Sequence, residues 1–267
     1  MMGETVARLT AAVDAGLAGS VRLVVDVVWL AWRALGAALT LRFDRTRFVA
    51  ELDRSVVGAL PLVLAAGLAT GAVMVWQTVE GLARFGASVY AAKLVALSLV
   101  RELAPVLTGL LLAGRAGSAI AAELGSMTIT EQLDAMRALA LDPIRYLVAP
   151  RVLALAMGLP CLVLAFDFAG FAGGLLVGVL DKGIPLGAYL EATRSALLAS
   201  DLEGGALKGA AFGLLIALIG CVNGLRTDPK RGASDVGRST TGAVVAASVA
   251  ILVADAALTR LLLGWVV

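Results

Sequence analysis

Arg101 and Glu102 stand side by side in the apolar run LVALSLVRELAPVL. Charged side chains are costly in hydrocarbon, so such a pair inside a span implies a polar cavity or buried partners. Adjacent helical residues point roughly 100° apart, so the two need not pair with each other. Two readings stay open. One is an ion pair with another span, and the other is a polar patch in an otherwise apolar cavity. The second would suit an amphiphile with a charged head and apolar tails.

A second constellation follows in SMTITEQLDAMRALALDP. Residues 128–140 are expected to form a short helix, with Thr128 and Glu131 at capping-box spacing and Asp142-Pro143 as its stop. Ile129, Leu133, Met136 and Ala140 fall on one face. Glu131, Gln132, Asp134 and Arg137 are left for water or a partner. The segment is either a plain loop element or a coupling helix that docks into an ATPase.

Much other chemistry is absent from the sequence. The chain has no histidine, which removes Ser-His and Cys-His nucleophiles and the usual imidazole metal sites. It has no G-x-x-x-x-G-K-[ST] either, so it cannot form a P-loop of its own. Asp167 and Asp255 are intramembrane carboxylates without a catalytic setting, and each is expected to meet a polar neighbour or line a cavity. Cys161 and Cys221 fall in apolar segments and read as packing residues. No catalytic residue, metal ligand or cofactor site is expected in this chain.

Composition dictates the elements that must hold these residues. The chain has 267 residues, is 60% hydrophobic and only 16% charged, with mean hydropathy +0.93. That much apolar surface calls for a bilayer. The net charge is +2, with basic residues scattered rather than clustered, which argues against nucleic acid. Glu4 and Asp14 precede the first apolar run and no cleavage site is evident, so a removable signal peptide is not expected.

The sequence predicts an all-α, polytopic membrane protein. Residues 21–39 read as an interfacial amphipathic helix, with Arg22, Asp26, Trp29 and Arg33 on one face, its charges in water, and Val24, Val25, Val28 and Leu35 on the other; a tilted span is the alternative. Five spans follow, at about 56–79, 89–113, 146–180, 204–225 and 241–266. The third stretch is long for one crossing and holds Pro160, yet basic loops favour a single span there. Arg42, Arg45, Arg47, Arg54, Arg115, Arg137, Arg145, Arg151, Arg226, Lys230, Arg231 and Arg238 then share one side. Arg84, Lys182, Arg194 and Arg260 lie on the other, with Lys208 near the border. The positive-inside preference therefore puts the N-terminus in the cytoplasm and the C-terminus outside. Small-xxx-small pairs such as Gly67/Gly71 and Gly205/Gly209/Gly213 read as helix-packing sites. The chain divides into an N-terminal segment, 1–54, and a five-span domain, 55–267.

The run GRAGSAIAAELGSMTITEQLDAMRALALDPIRYLVAPRVLA, with LVALSLVRELAPVL before it and DVGRSTTGAVVAASVAILVADAALT later, resembles the MlaE/YrbE permease family. Gly242 departs from the basic residue that would follow the paired threonines, which removes any contact by that side chain. The resemblance implies the permease subunit of an ABC transporter that moves phospholipid between the inner membrane and an MCE-protein conduit, serving outer-membrane lipid asymmetry. It further implies a homodimer, two ATPase subunits that bind ATP and Mg on the cytoplasmic side, and an MCE-domain protein on the other. By position it makes Gln77, Arg101 and Glu102 lipid-cavity residues. It makes Glu131, Gln132, Asp134 and Arg137 the ATPase-coupling segment. The rivals are a stand-alone secondary transporter or channel using intramembrane carboxylates, against which stands the lack of an inverted repeat, and a scaffold that only anchors a soluble complex.

Overall fold

The computed structural model describes residues 21–34, 36, 44–87 and 90–266. Every regular element among them is helical, as hydrocarbon requires, because helices satisfy their backbone hydrogen bonds internally. We number the helices α1 (21–34), α2 (Arg45–Ala83), α3 (Ala91–Ile129), α4 (Gln132–Ala138), α5 (Ile144–Asp181), α6 (Leu186–Ala196), α7 (Ala199–Leu225) and α8 (Ala233–Val266). Five of them, α2, α3, α5, α7 and α8, are long and apolar enough to cross a membrane. The protein is an all-α polytopic membrane protein.

The long third stretch is one helix. Its 38 residues run through Pro160 without a break and reach about 57 Å at 1.5 Å per residue. Residues 1–20, 35, 37–43, 88, 89 and 267 lie outside the described residues, and with them the signal-peptide reading and part of the expected N-terminal segment.

Glycine decides which helices touch. The apolar stretch of α7 is 67% buried and that of α5 56%, against 17% for α8, so α5 and α7 form the centre. Gly71 of α2 lies so close to the Gly170 carbonyl of α5 that a Cβ would overlap it, and Gly213 of α7 does the same against Leu155 of α5. Such approaches replace the hydrophobic drive that lipid cannot supply. Gly71→Val is therefore expected to lower stability by roughly 1–3 kcal/mol through overpacking. Gly81→Val on the same helix, where the space is open, is the control. Thermal unfolding in detergent would show it, and equal midpoints for the two variants would contradict the close approach.

The loop region around α4 differs from its expected form. Span α3 continues to Ile129, because Thr128 Oγ1 donates back to the Leu124 carbonyl at 2.8 Å rather than capping anything ahead. Glu131 then turns left-handed, at φ 56°, and α4 begins at Gln132 with no side-chain cap. The capping box is thus not formed. Asp142-Pro143 is likewise a start, not a stop: the Asp142 carboxylate accepts from Ile144 N at 3.0 Å, with Pro143 in the first-turn position it favours. What ends α4 is a left-handed Ala140, at φ 58°. Ala140 N donates to the Arg137 carbonyl and Leu141 N to the Met136 carbonyl, the bonding of a Schellman cap. Glycine normally fills that place, so Ala140→Gly is expected to stabilise the protein by about 0.4–1 kcal/mol. A raised unfolding midpoint would show it, and a lowered one would contradict it.

Helix α1 sits at the end of the bundle where α2, α5 and α8 begin. Leu30 and Ala34 are buried there, with Leu23, Val27 and Ala31 beside them. Its charges were expected in water, yet two of them, Asp26 and Arg33, bind protein. Asp26 accepts from Arg226 Nε at 2.7 Å, and Arg33 reaches Asp142 at 3.2 Å. Val24, Val25, Val28 and Trp32 stay exposed.

Candidate functional site

Proline shapes the charged site. Pro105 has no N–H, so the Arg101 carbonyl four residues earlier loses its helical donor. The helix answers with a π-turn over Leu99–Leu103, a distortion common at functional positions. Into the freed carbonyl comes Lys208 of α7, whose Nζ lies 2.8 Å from it.

Lys208 is 2% exposed and fully engaged. Its ammonium also donates to Glu102 Oε2 at 2.8 Å and to Thr259 Oγ1 at 2.7 Å. Asp255 Oδ1 lies 2.9 Å away as an ion pair, off the direction of a hydrogen bond. The Thr259 hydroxyl in turn donates to Glu102 Oε1 at 3.1 Å. Arg101 pairs elsewhere, with Nε 2.8 Å from Asp201 Oδ1. Asp201 is held in turn at the start of α7, where it accepts from Leu198 N at 3.0 Å.

Arg101, Glu102, Asp201, Lys208 and Thr259 line a cavity of about 300 Å³, together with Glu203, Leu207 and Leu262. Arg101 and Glu102 each pair with another span, and each also lines the cavity. The Arg101 side chain is 40% exposed, and its Nη groups have no partner among the described residues. A guanidinium presented in this way matches a phosphate, with apolar wall beside it for acyl chains.

Gln77 does not join them. It is exposed on α2 and is not among the cavity-lining residues. Asp255 meets the expected polar neighbour. Asp167 does not: it is 2% exposed, and neither carboxylate oxygen has a hydrogen-bond partner among the described residues. Asp201 and Thr259 were missed from the sequence, and Lys208 was read only as a border charge. A lysine two helical turns after an aspartate, in the glycine-rich start of a span, is the signal that could have found them.

At the other end of α3, helix α4 keeps only part of the expected apolar face: Ile129 belongs to α3 and Ala140 is exposed beyond the end of α4. Leu133 is 4% exposed and Met136 packs against the core. Glu131, Gln132, Asp134 and Arg137 are all exposed, with Asp134 and Arg137 paired at 2.6 Å.

The sequence profile described as Permease MlaE matches residues 48–261. The chain belongs to the MlaE permease family. It is 45% identical over 204 residues to a probable ABC transporter permease protein of Rickettsia typhi, covering 76% of this chain and 78% of that one. It is 39% identical over 209 residues to the intermembrane phospholipid transport system permease protein MlaE of Haemophilus influenzae, covering 78% and 79%. The Arabidopsis thaliana protein trigalactosyldiacylglycerol 1, chloroplastic, is 38% identical over 205 residues, or 77% of this chain and 58% of that protein. The matched range, residues 48–261, includes α4 and every cavity-lining residue but Leu262.

Proposed function

We propose that the chain is the membrane subunit of an ATP-driven phospholipid transporter. A separate ATPase holding ATP and Mg docks on α4, and an MCE-domain protein takes or delivers lipid at the opposite end. The observation that carries this reading is the path of α3. One helix holds Arg101 and Glu102 at the cavity and turns at Glu131 directly into α4. A push on α4 is therefore carried toward the cavity along one helix, through the Glu131 turn and the π-turn at Ala113–Gly117. The Haemophilus influenzae relative, named for phospholipid transport, supports the choice of substrate.

The proposed setting is the inner membrane, with the N-terminus cytoplasmic and the C-terminus periplasmic, in service of outer-membrane lipid asymmetry. Basic loops at the end where α4 lies favour that orientation, and α1 then rests at the cytoplasmic interface. Two copies form the working unit. Leu62, Leu68 and Val73 of α2, with Val245, Val249 and Leu252 of α8, leave apolar faces exposed that lipid or a second copy would cover.

Proteoliposomes holding the chain and its ATPase test the proposal, with labelled phospholipid as cargo. Lipid transfer that needs ATP and ignores a pH gradient is the expected result. Transfer driven by a pH gradient without ATP would replace it with the secondary-transporter reading.

A further inference from the structure

A second charged cluster lies at the opposite end of α3, roughly 32 Å from Glu102 by helical rise. Arg151 of α5 is buried, with its side chain 5% exposed. Its Nη2 binds Glu123 at 2.7 Å, and its Nε approaches Glu51 at 3.7 Å. Glu123 is shared, because Arg54 Nη1 holds its other oxygen at 2.8 Å. Glu51 also accepts from Ser55 Oγ at 2.7 Å. The cluster borders two adjoining cavities of about 180 and 220 Å³, which have Glu51, Arg54 and Glu123 in common.

The charges there do not balance. Arg47, Arg54, Arg115 and Arg151 line the two cavities against two carboxylates, Glu51 and Glu123. Arg47 is partly satisfied by Asp44 at 3.7 Å and lies over the Tyr146 ring. Arg115 is exposed and has no ion pair among the described residues. Its Nη2 rests against Gly58, where a Cβ would come within 2.8 Å. Most telling, Arg151 Nη1 is buried with no hydrogen-bond partner among the described residues. An unmet donor on a buried cation is expensive, and buried polar groups are otherwise almost always paired.

We infer that this cluster is a phosphate-binding site distinct from the Arg101 cavity, and that its ligand is the phosphodiester of a lipid headgroup. A phosphate offers several acceptors to guanidinium forks. It would give Arg151, which borders one of the cavities, a further acceptor and offset the one positive charge that remains once Arg47 is paired with Asp44. Placing that lipid in the cytoplasmic leaflet rests on the proposed orientation, whereas the site itself does not.

The test uses the full-length chain, delipidated in detergent, with phosphatidylglycerol, diacylglycerol and inorganic phosphate as probes in native mass spectrometry. Arg151 supports the fold through Glu51 and Glu123, so the variant of choice is the exposed Arg115→Gln. Arg84→Gln at the other end of the bundle is the control. Phosphatidylglycerol binding is expected to weaken about tenfold in Arg115→Gln, as for loss of one charged hydrogen-bonding group, and to be unchanged in Arg84→Gln. Inorganic phosphate that displaces the lipid would assign the site to soluble phosphates, and phosphate that fails to compete would assign it to headgroups. Phosphatidylglycerol binding that is no stronger than diacylglycerol binding, or is unaffected by Arg115→Gln, would overturn the proposal. No ATP or ATPase is present, so this outcome is separate from that of the transport assay.

Discussion

Lys208→Met is expected to lose about 3–5 kcal/mol of stability, the usual cost of removing one partner from a buried ion pair. Lys208 is the only cation within ion-pair distance of Glu102 and Asp255 among the described residues, at 2.8 and 2.9 Å. Methionine fills the volume but leaves two carboxylates facing each other, and it frees the Arg101 carbonyl that Pro105 had already stripped of its donor. Glu102, with its side chain 40% exposed, can turn to water. Asp255, at 18%, has less freedom, so it carries more of the penalty. Lys208→Met combined with Asp255→Asn should therefore recover part of the loss, because one unpaired charge is gone. The unfolding midpoint in detergent and phospholipid transfer would both report the effect. A single variant as stable as the parent would show that the network is not what holds α3, α7 and α8 together.

Charge reversal on α4 should act on function and leave the fold alone. Glu131 and Asp134 are exposed, and the Asp134–Arg137 pair is a surface pair of the kind worth little. Glu131→Lys and Asp134→Lys are therefore expected to insert normally and keep stability within about 0.5 kcal/mol. A docked ATPase would feel the reversal directly, and interface charges discriminate strongly between partners. Permease-stimulated ATP hydrolysis should fall about tenfold, the scale of one lost interface charge contact. ATPase docking, hydrolysis and lipid transfer that all stay at parental levels would remove α4 from the coupling path.

The sequence made some of this arrangement legible for clear physical reasons. Spans are set by length and apolarity, which local sequence carries in full, and basic loops resolved the long stretch around Pro160 into one helix. Arg101 and Glu102 were conspicuous because charge in an apolar run is rare. Their partners were harder to see. Lys208 and Asp201 lie about 100 residues away from them, and only the packing of α7 onto α3 through Gly205 brings them close. The glycine pairs announced close packing without naming the facing helix.

The misreadings came from local patterns with two solutions. Thr128 and Glu131 have the spacing of a cap, yet Thr128 also fits a helix interior by bonding backwards, and the long helix α3 won. Asp142-Pro143 can end one helix or begin the next. It begins α5, since Ala140 had already closed α4. The charges of α1 were assigned to water because their partners, Arg226 and Asp142, are distant in sequence. Asp167 shows the converse, a carboxylate for which sequence suggested a polar neighbour or a cavity and which has no hydrogen-bond partner among the described residues.

The most direct test of the transporter account is a tagged pull-down of the chain from native membranes in mild detergent, with proteins and lipids identified by mass spectrometry. Recovery of a P-loop ATPase and an MCE-domain protein in fixed ratio, with bound phospholipid, is the predicted result. Recovery of the chain without any ATPase would contradict it and leave α4 as a loop element.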